Sequence, residues 1–204
     1  MRMRSLPVGM ILGTVALLSA CTTLAPWKQT PTGSSVVYGQ IEDSRRAIGF
    51  LAWSDDPGII AITMENRFNG WSPRYGMVVD QPARNAMREA LAKYDEWSKL
   101  AIDNDVEITR EISSVTLPQM FYRSHGWEAE GERQVTFVFR STLGDSSTPR
   151  TALIIRTKSF FYGSDQATLS SDQAADFARY LEDEEISMGY QQAKKKQDTL
   201  EMFK

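Results

Sequence analysis

VVDQPARNAMREALAKYDEWSKLA, residues 78–101, is where the chain changes its period. Asp80 is a good helix N-cap, and Pro82 in the first turn needs no amide partner. Beyond it Ala83, Ala86, Met87, Ala90, Leu91, Tyr94, Trp97 and Ala101 recur at spacings of three and four, which draws one apolar stripe along a helix. Glu89 with Lys93 and Asp95 with Lys99 add i,i+4 pairs on the wet side. Asp103-Asn104-Asp105 ends the helix.

Outward from this helix the pattern is β-type in both directions. Before it, SVVYGQI (35–41), RAIGFLAW (46–53), GIIAITMEN (58–66) and RYGMVV (74–79) are rich in β-branched and aromatic residues. SDDPG separates the second and third runs with turn chemistry, and Asn69-Gly70 is a hairpin signal because both residues tolerate positive φ. After it come VEITREI (106–112), whose alternation suggests one wet face or a sheet edge, then QMFYRS (119–124) following Pro118. ERQVTFVFR (132–140) places Val135, Phe137 and Phe139 on one face, and RTALIIRTKSFFY (150–162) is the last run. HGWEAEG and STLGDSSTP read as the connecting turns. Ser170 and Gln173 form a capping-box pattern, and Ala174, Phe177, Ala178 and Leu181 form a short stripe behind it. The acidic block Glu182–Glu185 and the basic block Lys194–Lys196 follow, so residues 186–204 read as a helical extension, either solvated or docked; Leu200, Met202 and Phe203 argue for docking. Hairpin-length connections dominate and βαβ alternation is absent. The expectation is one α+β domain over residues 35–204: an antiparallel β-sheet, an up-and-down sheet wrapping a helix inserted mid-chain, with a C-terminal helix.

The first twenty-one residues obey different rules. Arg2 and Arg4 precede an apolar run from Leu6 to Leu18, and Ser19 and Ala20 lead into Cys21, the one cysteine of the chain. Basic, apolar, small is the layout of a secretory signal. The apolar part is about a dozen residues, short of the roughly 20 that span a bilayer. Leu18-Ser19-Ala20-Cys21 resembles the lipobox of bacterial lipoproteins. The resemblance implies that residues 1–20 are a cleaved signal peptide and that Cys21 carries diacylglycerol and opens the mature chain; two or more acyl chains hold a protein firmly to a membrane. With Thr22 next, rather than an aspartate, it implies an outer-membrane address in a Gram-negative host. The alternative is an ordinary secretory signal with a chance cysteine, or an uncleaved anchor. Residues 22–34, TTLAPWKQTPTGS, read as a tether of about 40 Å reach, with Trp27 at the headgroup level or docked on the domain.

Composition removes several classes. Without residues 1–20 the chain has 21 basic and 26 acidic side chains, a formal charge of −5, so nucleic acid is not an expected partner. His125 is the single histidine and lacks a nucleophile motif, so it reads as a turn residue. Asp103–Glu107 resembles the start of a calcium loop, but Ile108 stands where glycine is needed and Ser114 where a bidentate glutamate is needed. No phosphate-cradling glycine motif occurs. No metal, cofactor or catalytic residue is expected.

One cluster stands out for recognition. Arg67, Phe68, Trp71, Arg74 and Tyr75 crowd the hairpin tip NRFNGWSPRY, and Trp127 in FYRSHGW has similar character. Aromatics beside arginine are the composition of interaction hot spots; alternatively these rings complete the core beside snorkelling arginines. The expectation is an envelope lipoprotein, moored through Cys21, whose domain engages an envelope protein partner. A small-ligand, lipid or glycan module is the alternative, and an exported carboxylate hydrolase a further one.

Overall fold

In a computed structural model, residues 33–42, 46–66, 75–123, 126–143, 150–159 and 163–203 are described. They form β1 (Ser35–Glu42), β2 (Arg46–Trp53), β3 (Asp56–Asn66), β4 (Tyr75–Val79), α1 (Gln81–Asp103), β5 (Ile108–Arg123), β6 (Gly126–Ser141), β7 (Thr151–Ser159), β8 (Gly163–Leu169), α2 (Ser171–Tyr180) and α3 (Asp183–Glu201). The eight strands make one antiparallel sheet in chain order. The architecture is α+β.

This sheet is rolled. Laid flat, β2 and β8 would lie about 29 Å apart, six strand spacings. Yet Arg46 of β2 and Asp165 of β8 make an ion pair at 2.7 Å, and α2 packs on both β1 and β7. Among the described residues no pairing joins β1 to β8, so the roll stays open. Its inner face carries the main core. Ile48, Phe50, Ile60, Ile62, Met77, Leu117, Val135, Phe137, Phe139, Leu153, Ile155 and Leu169 all point there, as the two-residue period of each strand requires. α1 covers β4–β7, α2 sits between the sheet's two ends, and α3 lies along β1–β3. Phe177 of α2 touches Phe50 of β2 and Phe137 of β6 edge-on, at 5.1 and 6.4 Å, and so ties both halves together. A smaller cluster, Leu51, Trp53, Ala61, Val78 and Met120, occupies the other face.

Local chemistry accounts for the helix starts. The Asp80 carboxylate accepts from the Ala83 amide at 2.9 Å. The Ser170–Gln173 capping box is complete in both directions. α1 buries Ala83, Met87, Ala90, Leu91, Tyr94 and Ala101. Ala86, expected in that stripe, is exposed, and Arg84 is buried in its stead.

Three expected elements take a different form. The runs 106–112 and 119–124 are parts of one 16-residue strand. Pro118 does not break it, because it sits at a β-bulge, which tolerates a residue without an N–H. HGWEAEG is not simply a turn: residues from Gly126 onward are already in β6, and Gly131, at φ +74°, sits within the matching irregularity. The last expected strand stops at Ser159, and a further one, β8, precedes α2.

The single C-terminal helix is two. The break falls at Leu181–Glu182, so Asp183, Glu184 and Glu185 occupy the first turn of α3, where the helix dipole favours acids. Arg88 of α1 donates to the Leu181 carbonyl and, at 3.0 Å, to Glu182, while Arg84 pairs with Asp183 at 3.3 Å. α3 is docked: Ile186, Gly189 and Ala193 are buried. Gly189 allows this approach, since a Cβ there would stand 2.7 Å from the Tyr38 ring.

β4 meets β5 only through Tyr75–Met77 against Gln119–Phe121. Ile108–Pro118 therefore runs past the end of β4 with β6 as its paired neighbour, in keeping with the edge-like alternation of its sequence.

Candidate functional site

Cys21, Arg67, Phe68, Trp71, Arg74 and His125 lie outside the described residues. Tyr75 and Trp127 are described, and they part company. Trp127 packs edge-on against Trp53 at 6.3 Å and Tyr122 at 5.4 Å, on the outer face. Tyr75 points inward and is buried.

Around Tyr75 the inner face turns polar. Arg133 shares its parity in β6 with Val135, Phe137 and Phe139 and is only 1% exposed. Its guanidinium lies 4.3 Å from the Tyr75 ring centre. Its Nη1 donates to the Tyr75 hydroxyl at 3.1 Å and to Thr157 Oγ1 at 2.8 Å, and stands 3.5 Å from Asp165 Oδ2. The Tyr75 hydroxyl donates to that same Oδ2 at 2.8 Å, and Arg46 takes Oδ1. Five strands thus converge on one carboxylate and two guanidiniums, a net charge of +1. Arg46 and Asp165 are each about one-fifth exposed, so the group reaches solvent through them.

Gln119 belongs to this face as well. It pairs across the sheet with Met77, an inner-face residue, one row from Tyr75 opposite Phe121. It is 1% exposed, and neither its amide nitrogen nor its oxygen has a hydrogen-bond partner. The Arg133 Nε is buried and unpartnered too.

Burial drives the Tyr75 phenol pKa upward, with the Asp165 charge assisting and Arg133 opposing. Burial also raises Tyr38, with Arg84 opposing. A phenol held neutral in the fold stabilises it fully below its unfolded value of about 10; that contribution is lost as pH rises from there through the raised native value. In an alkaline titration followed by tyrosinate absorbance, Tyr38 and Tyr75 should ionise only as the fold opens. Ionisation of all seven tyrosines near pH 10 without unfolding would contradict their burial.

A second feature lies at the other end of the strands. Ile102, Val106 and Leu143, exposed by 43, 44 and 62%, line a shallow recess with Asp105, Ser141 and Arg150. Arg150 and Asp105 pair across it at 3.2 Å. Ile108, also exposed, donates its amide to Ser141 and extends the apolar rim. Among the described residues no three His, Cys, Asp or Glu side chains gather as metal ligands, and no helix is long and apolar enough to cross a membrane.

Arg133, Asp165 and Gln119 were not singled out by sequence reasoning, although parity offered a signal: each is a polar residue in the apolar phase of its strand. No protein-family model, curated protein or solved structure matches this chain.

Proposed function

We propose that this chain is a cell-envelope lipoprotein, moored to the membrane through lipid on Cys21, whose α+β domain holds a protein partner. In a Gram-negative host the address is the outer membrane. The observation that supports a protein partner is the recess of Ile102, Val106 and Leu143. Apolar side chains left exposed together at one place on a surface support a docking role, and a tethered domain meets its partners at high local concentration.

Crosslinking in intact cells, followed by recovery of the protein, tests this reading. The variant Ile102→Ser/Val106→Ser/Leu143→Ser should lose the crosslinked partner while keeping its melting temperature within a few degrees, because these side chains are already solvated. An unchanged crosslink pattern would remove the recess from the proposal. The mooring has its own test. Cys21→Ser should move the protein from the membrane to the soluble fraction, and mass spectrometry of native material should find acyl chains on Cys21.

A further inference from the structure

We infer that the polar end of the inner face is a binding site for a small oxyanion, of the carboxylate or phosphate class, seated between Arg133 and Gln119. This does not depend on the mooring or on the recess.

Charge and hydrogen bonding carry the inference together. A guanidinium taken out of water must be paired and bonded to offset its lost hydration. Arg133 falls short on both counts. Its Nη1 leans on two neutral hydroxyls, at 3.1 and 2.8 Å. Among the described residues the one carboxylate in reach, Asp165, is 3.5 Å away, and its single charge is shared with Arg46. The Nε–H, a donor on the same cation, has no partner. Gln119 adds an unpartnered amide nitrogen and oxygen from the neighbouring strand: Arg133 pairs with Leu117, two residues before Gln119 on the same face. Unpartnered buried groups are rare, because each gives up its hydrogen bonds to water without replacing them. An under-neutralised cation with an unpartnered Nε–H, and an unpartnered amide donor on the same face of the next strand, suit an acceptor bearing negative charge. The Gln119 oxygen suits a ligand that also offers a proton, as a monohydrogen phosphate or a hydroxy acid does. Arg46 and Asp165, each about one-fifth exposed, connect this group to solvent.

The arginine Nε–H resonances of the full chain, 15N-labelled in non-ionic detergent, provide the test. Inorganic phosphate and acetate are titrated separately against sodium chloride at matched ionic strength. One Nε–H resonance should shift along a saturating curve with phosphate or acetate and not with chloride, and Arg133→Lys should remove it. Gln119→Leu, which fills the same volume without donors, should raise the apparent dissociation constant about tenfold or more, the worth of one hydrogen bond to a charged group. Absence of any saturating resonance up to tens of millimolar of both anions would overturn the inference. So would a small, unsaturated shift shared by all the arginines, or an affinity indifferent to Gln119→Leu; the unpartnered groups would then belong to a buried water. Should Arg133→Lys fail to fold, the wild-type and Gln119→Leu titrations decide alone.

Discussion

Asp165→Asn should lower the unfolding free energy by about 3 kcal/mol, the scale for removing one partner of a buried ion pair. The carboxylate is the hub of the rolled sheet: it binds Arg46, accepts from Tyr75 and faces Arg133. Asparagine keeps the shape and removes the charge, leaving two guanidiniums without a counter-ion. Urea unfolding at neutral pH measures the loss. The double variant Asp165→Asn/Arg46→Met should lose less than the sum of the two single variants, because residues in one network are not additive. A loss below about 1 kcal/mol would mean that the pair is solvated like a surface bridge, and that the sheet is rolled by its apolar core alone.

Phe177→Ala should cost about 4 kcal/mol, within the range for emptying a buried phenylalanine site. This ring is 1% exposed and reaches Phe50 and Phe137, which lie on strands of the two halves of the sheet. The cavity cannot collapse from one side only, because the helix would have to leave both strands. Phe177→Leu should recover more than half of the loss, since it restores most of the volume without the edge-to-face contacts. Denaturant midpoints of the two variants check the order. An alanine variant within 1 kcal/mol of the parent would show that α2 is not the keystone of the core.

Much of the architecture was legible along the chain. Asp80 with Pro82, and Ser170 with Gln173, mark two helix starts by chemistry that acts within four residues. Alternation in 132–140 puts Phe137 on one face with Val135 and Phe139 without any tertiary knowledge, whereas 46–53 is apolar in both phases and buried almost throughout, so its pattern alone does not choose the face of Phe50. What escaped has physical causes. β8, Gly163–Leu169, has only Ala167 and Leu169 as inward apolar residues; its third inward position is Asp165, and a charge in the apolar phase hides the period. Arg133 is hidden in the same way, two residues before Val135, where it reads as the solvated start of a strand. The residues that blurred the strand pattern are thus the ones that build the polar site. Tyr75 was noticed as part of a hairpin tip, but its inward direction depends on its register against Phe121, which no local pattern sets. The break at Leu181 was signalled, since four acids in a row suit a helix start better than a helix middle; the competing signal was the capping box just upstream, which favours one uninterrupted helix.

The clasp between α3 and β1 has a bearing on how such a chain is made. The Ser34 amide donates to Gln197, and Lys196 donates to the Ser35 carbonyl, across more than 160 positions of sequence. The leading strand therefore cannot acquire its final neighbours until the closing helix has arrived. A polypeptide emerging amino end first, from a ribosome or a secretion pore, would expose Tyr38, Ile48 and Phe50 throughout its emergence. An escort that shields nascent chains would be needed longest by β1 and β2, the strands that appear earliest.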